Sequence, residues 1–240
     1  MKLDILVMAV HPDDAELSCA GTIASHIAAG KKVGIVDFTQ GELGTRGTPA
    51  IRLAESEAAT EILGLHAREN LGFRDGFSVN DETHQRMLME VIRRYQPDIV
   101  LANAMDDRHP DHGRAAKLAI DACFYSGLRM VETIDRLLGT PQQAWRPKAV
   151  YHYIQDRYLE PDFVFDITPF WSIKDQAVRA FRSQFHDPTS SDPESYLSSP
   201  DFLLFVEARA RDMGHKIGVT YGEGFTMARP PGVRDLFSLI

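Results

Sequence analysis

Cysteine is scarce: Cys19 and Cys123 are the two in a chain of 240 residues. Both fall among apolar neighbours on expected helices, so no disulfide framework is implied and a cytoplasmic, reducing location is expected. Long apolar runs are missing too. None approaches the ~20 residues that a membrane-spanning helix requires. The start, Met1-Lys2-Leu3-Asp4, leads into a charge-bearing strand rather than the apolar core of a signal peptide; no membrane partner is expected. Positive charge is in deficit, with 26 Lys and Arg against 34 Asp and Glu and a formal net charge of −8. Without a basic face, association with a phosphate backbone loses its main driving force, so no nucleic acid partner is expected. Internal repeats and low-complexity linkers are also lacking. The expectation is one domain over 1–240, with a core of 1–140 and a C-terminal extension of 141–240. What is present is ordinary for a globular chain: 44% hydrophobic and 25% charged residues, enough to fill a core.

Residues 3–10 form a nearly continuous apolar run, as in a strand buried on both faces of a parallel sheet. Leu17, Ala20, Ile23, Ala24, Ile27 and Ala28 fall at helical spacing within 16–29, and Gly30 stops that helix. A second strand is expected at 33–38, a helix at 50–63 ended by Gly64, and a short strand near Asn70 and Leu71. A helix over 82–95, closed by Pro97, leads to a fourth strand at 99–102. Helices are expected from 113 to about 125 and on to about 138, then at 171–185 and 201–214, with strands at 148–154 and 163–167. Residues 186–200 read as a surface loop and 221–225 as part of a tail. Strands alternating with helices predict an α/β fold, a doubly wound, mostly parallel Rossmann-like sheet with helices on both faces and a C-terminal extension. In the common strand order 3-2-1-4, the order reverses between strands one and four, and ligands bind outside the carboxyl ends there.

Two motifs follow those two strands. His11-Pro12-Asp13-Asp14 ends the first, and Asp107-Arg108-His109-Pro110-Asp111-His112-Gly113 follows the fourth. Alone, each has a bland explanation, because Asp suits helix N-caps and first turns, and a loop histidine is commonly just a polar surface group. Two His-Pro-Asp elements at adjacent strand ends are harder to dismiss. Catalytic zinc takes three protein ligands from His and carboxylate and leaves one position open. His11 and Asp14, three apart at a tight turn, would offer two ligands, and His112 a third from across the crevice. Asp13, left unligated beside the ion, is placed as general base. His109, oriented by Asp111, would protonate a leaving amine or stabilise oxyanion charge. The glycine-rich stretch 41–47 lacks the ending of a P-loop and the spacing of a dinucleotide fingerprint, which disfavours a nucleotide-binding domain. The remaining histidines lack partners at ligand spacing and read as structural.

The two motifs, with Gly-Glu-Leu-Gly-Thr-Arg-Gly at 41–47 followed by Arg52, Ser183-Gln184-Phe185, and Tyr221-Gly222-Glu223-Gly224-Phe225, span nearly the whole chain. Together they resemble the LmbE-like (PIG-L) family of zinc-dependent de-N-acetylases. The resemblance implies a small-molecule substrate, an N-acetylglucosamine conjugate, and within the family it points to the branch acting on N-acetylglucosaminyl-malate in bacillithiol biosynthesis. It implies His11, Asp14 and His112 as zinc ligands, Asp13 as base, and His109 with Asp111 as the assisting pair; iron(II) suits the same ligands. It further implies Arg46, Arg52, Arg146 and Tyr196 as pocket residues, the arginines meeting sugar hydroxyls or carboxylates and Tyr196 donating to the oxyanion. A homo-oligomer is expected. The rival readings are a deacetylase of another glucosaminyl conjugate and a metal- or sugar-binding protein without turnover.

Overall fold

Alternation along the first strand decides the layering. In β1 (Ile5–Ala9), Ile5, Val7 and Ala9 join one apolar cluster and Leu6 and Met8 another, because successive side chains leave a strand on opposite faces. Every residue of β1 is buried, so the strand is central and both faces need cover. The computed structural model describes residues 1–238. Its further elements are α1 (Asp14–Ala28), β2 (Val33–Thr39), α2 (Pro49–Leu63), β3 (Ala67–Phe73), α3 (Glu82–Tyr95), β4 (Ile99–Ala102), α4 (Pro110–Tyr125), β5 (Ile134–Asp135), β6 (Thr140–Pro141), β7 (Ala149–Tyr153), β8 (Phe163–Asp166), α5 (Trp171–Arg179), α6 (Phe202–Lys216) and β9 (Gly222–Met227). Short 3₁₀ turns precede α5 and end the described chain.

The sheet has seven strands in the order β3-β2-β1-β4-β7-β9-β8. Pairings from β3 through β7 are parallel, whereas β9 runs antiparallel to both β7 and β8. Leu88, Met89, Val91 and Ile92 of α3 and Leu118, Ala119 and Ala122 of α4 cover the Leu6 face. Ala15, Ala20 and Ile23 of α1 and Ala177 of α5 cover the Val7 face. The fold is therefore the expected mostly parallel α/β sheet with helices on both sides, and the reversal of strand order falls between β1 and β4. Among the described residues, no helix is long and apolar enough to cross a membrane.

Three expectations need correction. The helix expected up to about residue 138 is absent, and a small hairpin of β5 and β6 stands in its place. Arg93 of α3 explains this: its guanidinium takes the carbonyls of Ser126, Leu128 and Val131, which a helix would use for its own ladder. The helix at 171–185 stops at Arg179, and four residues on the Ser183 N–H donates to Glu55 Oε1 at 2.6 Å instead of continuing the ladder. The tail at 221–225 is β9, an interior strand. Its glycines admit α6: a Cβ on Gly224 would lie 2.8 Å from Met213 Sδ, and one on Gly222 2.8 Å from the Gly214 nitrogen.

Candidate metal centre and active site

Both motifs start at the carboxyl ends of β1 and β4, which pair directly. After β1 the chain closes a tight turn: His11 N donates to Asp14 Oδ2 at 2.9 Å, and Asp14 N to the His11 carbonyl at 3.3 Å. Asp13 adopts φ 119° and ψ −23° and makes no capping hydrogen bond. A non-glycine residue held there stores strain of order 1–3 kcal/mol, so helix capping does not account for this aspartate. Its carboxylate instead meets Arg52, with Nη2 donating to Oδ2 at 3.0 Å; the same guanidinium nitrogen donates to the Pro12 carbonyl. After β4, His109 is the N-cap of α4, its Nδ1 accepting from Asp111 N at 3.2 Å.

Asp14 sits between the two outer imidazoles. Its Oδ2 lies 3.5 Å from His11 Nδ1 and its Oδ1 3.2 Å from His112 Nε2. Gln155 Nε2 and Asn103 Nδ2 each donate to it at 3.0 Å, fixing the plane of the carboxylate. The far nitrogen of each imidazole is engaged by another carboxylate: Asp75 Oδ1 lies 3.0 Å from His11 Nε2, and Asp107 Oδ2 lies 2.6 Å from His112 Nδ1. A carboxylate on one ring nitrogen holds the proton there and leaves the other free as a ligand. His109 completes the group, with ring centroids 4.7 Å from His11 and 5.2 Å from His112.

The electrostatics follow from burial and crowding. Burial raises the Asp13 carboxyl to about 7; Arg52 pulls against this and Asp14 adds to it. Asp14 lies well below the ordinary range, since His112 and His11 outweigh the opposing effect of burial. His112 is raised to about 9 by Asp14 and Asp107 against burial, and Asp111, Asp14 and Asp75 likewise raise His11 against burial. His109 goes the other way, lowered by burial and then by its two histidine neighbours. Asp75 is held at about 2 by His11, again against burial.

This donor set fits a divalent ion. Ring nitrogens of His11, His109 and His112 lie within 4.8 Å of one another, and the Asp14 carboxylate stands between His11 Nδ1 and His112 Nε2. Asp111 Oδ2 is buried without a hydrogen-bond partner, 3.8 Å from His11 Nε2. An orphaned anionic oxygen among imidazoles costs free energy unless a cation is near. Mixed His and carboxylate donors are those of zinc or iron(II).

The structure thus brings His11, Asp13, Asp14, His109, Asp111 and His112 together. The Asp111 carboxylate, however, faces His11 and Arg114, and only its backbone N–H meets His109, so the expected side-chain pair is absent. Arg46, Arg52 and Tyr196 line the cavity beside the cluster, whose volume is about 390 Å³. Arg46 donates to the Ser183 carbonyl at 2.9 Å and Arg52 is paired with Asp13, which ties both down. Tyr196 donates to Asp156 Oδ1 at 2.8 Å under the guanidinium of Arg108. Arg146 is not part of the lining: it donates to the Phe124 carbonyl at the end of α4, over the Phe124 ring. Sequence reading missed Asp75, Asn103, Asp107 and Gln155. Asp107 was visible as the first residue of the second motif; the others are lone polar residues after strands, with no local signal.

Residues 6–123 match the family model PIG-L, described as GlcNAc-PI de-N-acetylase. The chain is similar to the diacetylchitobiose deacetylase of Thermococcus kodakarensis, 29% identical over 242 residues covering 95% of this chain and 84% of that one. It is 32% identical to the uncharacterized deacetylase YaiS of Escherichia coli over 167 residues, 65% of this chain and 84% of that one. Among solved structures, the conserved protein TT1542 from Thermus thermophilus matches with a TM-score of 0.84 at 36% identity, over 96% of this chain and 97% of that chain.

Proposed function

Since the chain belongs to the PIG-L family of deacetylases, hydrolases of C–N bonds, we propose that it removes the N-acetyl group from an N-acetylglucosamine conjugate, using a zinc ion held by His11, Asp14 and His112. The observation that supports this best is Asp13: a strained, buried carboxylate with its pKa raised to about 7, next to the convergent imidazoles. A general base works best with its pKa near the operating pH.

When bound, the ion polarises the scissile carbonyl and makes a water more acidic. The remaining work falls to the protein. Asp13 takes the proton of the attacking water, and Arg52 steadies the carboxylate in place. Gln155 and Asn103 hold Asp14 against rotation, while Asp75 and Asp107 fix the two ring tautomers. His109, with Nδ1 accepting the Asp111 N–H, is a neutral ring whose proton sits on Nε2, from where it donates to the developing oxyanion. The proton that Asp13 has taken from the water passes on to the leaving amine. Tyr196 stands at the cavity wall with its hydroxyl donating to Asp156.

The finer reading, N-acetylglucosaminyl-malate as substrate in bacillithiol biosynthesis, comes from sequence likeness alone. Arg108 and Arg209 are the cavity arginines that could meet a malate carboxylate, and both already flank Asp156. Acetate release from N-acetylglucosaminyl-malate and from diacetylchitobiose, with and without chelator, is the test. We expect turnover of at least one, abolished by chelator and restored by zinc or iron(II). Asp13→Asn should keep the metal and lose about 10²–10⁴-fold in kcat. Tight sugar binding with no acetate released would instead mark a binding protein.

A further inference from the structure

Beyond the metal cluster, the cavity continues between α1 and α6 into a chamber walled by Leu17, Ile154, Phe202, Val206, Ala210 and Met213. Leu17 is the next turn of α1 after Asp13 and Asp14, so the chamber opens directly from the reacting centre. The four α6 residues recur at spacings of three and four, which puts them on one face of the helix. Ile154 and Met213 close over Gly224 of β9. The charges on the floor are already matched. Lys174 Nζ donates to Glu223 Oε1 at 2.7 Å and to the Leu17 carbonyl at 2.8 Å; Glu223 in turn accepts from the backbone of Gly21 and Thr22 and from the Thr22 hydroxyl. Counted along α6 at 1.5 Å per residue, the apolar face from Phe202 to Met213 runs about 16 Å. An acetyl group, two carbons long, would leave most of that length unfilled. Hydroxyls or carboxylates lodged against these six apolar side chains would lose water without finding a partner among them.

From this we infer that the substrate carries an apolar group of several carbons, which lies in this chamber while the amide is cut. The inference rests on the deacetylase reading and narrows it. The apolar group belongs either to the acyl part or to the aglycone, and two substrate series tell these apart: N-acetyl- against N-hexanoylglucosamine, and methyl against hexyl N-acetylglucosaminide. In one series kcat/KM is expected to rise at least about tenfold with the longer chain, a conservative figure for several buried methylenes. Val206→Asp, checked for folding by circular dichroism, should bring that ratio close to one. Calorimetric binding of hexyl against methyl glucoside to the wild-type protein needs no variant and should favour the hexyl compound by a similar factor. If the protein turns substrates over and both series are flat, the inference is overturned. If nothing is hydrolysed, the deacetylase reading fails, and the binding ratio alone then decides about the chamber: equal binding sinks it.

Discussion

Each outer histidine of the site has a carboxylate on its far nitrogen, and this makes Asp107 testable. Its side chain is fully buried and lies 2.6 Å from His112 Nδ1. Losing such an outer partner typically lowers metal affinity about 10- to 100-fold. Asp107→Asn should therefore weaken zinc binding by that factor in a competition titration, with the fold intact by circular dichroism; unchanged affinity would show that Asp107 does not orient the ring. That His11, Asp13, Asp14, His109 and His112 gather in one place was legible because strand-end motifs concentrate His and Asp. Asp75 and Gln155 were not, since only the folded sheet brings their loops to the cluster. A buried thiol makes a second residue-scale prediction. Burial pushes Cys123 up to about 12, whereas the unfolded chain's thiol ionises near ~8.5. The folded state keeps the proton longer, so its stability holds below ~8.5 and is lost as pH rises toward 12. Unfolding free energies from urea titrations at pH 8 to 10 should fall more steeply for wild type than for Cys123→Ala, by about 1 kcal/mol per pH unit. Equal slopes would contradict it.

At the scale of elements, α1 is two segments in one. Cys19 has φ −141° and ψ 19°, outside helical values, so the ladder breaks there. The Gly21 and Thr22 N–H groups freed near the break are capped by Glu223 of β9, and Lys174 of α5 neutralises it. Both side chains are nearly fully buried, at 3% and 2% exposure. Removing one partner of such a pair leaves the other charge stranded, at a cost of about 3–5 kcal/mol, whereas replacing both is far milder. Lys174→Met should lower the unfolding free energy by about that amount and the Lys174→Met, Glu223→Gln double variant by clearly less. Additive losses in denaturant titrations would refute the coupling. This junction was invisible in the sequence because Gly-Glu-Gly has poor strand propensity, and β9 therefore passed for a tail. The early strands were plain for the opposite reason: a strand buried on both faces must be apolar throughout, as β1 is. Arg93 was equally opaque, since one buried guanidinium gathering three carbonyls overrides the helical pattern after residue 126.

For the whole molecule, the parallel half of the sheet points its carboxyl ends at one spot and delivers Asp13, Asp14, Asp75, Asp107 and Asp111 to a single crevice. Among the described residues, the guanidinium groups paired with these five are those of Arg52 on Asp13 and the half-exposed Arg114 on Asp111. Charges of one sign so arranged repel one another, and folding has to bear that repulsion; the raised His11 and His112 relieve part of it by holding protons. A divalent cation that binds only the folded crevice relieves it more directly. At a free concentration 100 times its dissociation constant it adds about 2.7 kcal/mol to stability. For a chain of this size that corresponds to a rise in Tm of roughly 5–10 °C. Zinc added to chelator-stripped protein should produce this rise, chelator should reverse it, and His112→Ala should remove most of it. Were the melting curve to stay put under zinc and chelator alike, the acidic crevice would have to be stable without an ion, and the case for a metal centre would fall together with the hydrolysis built on it.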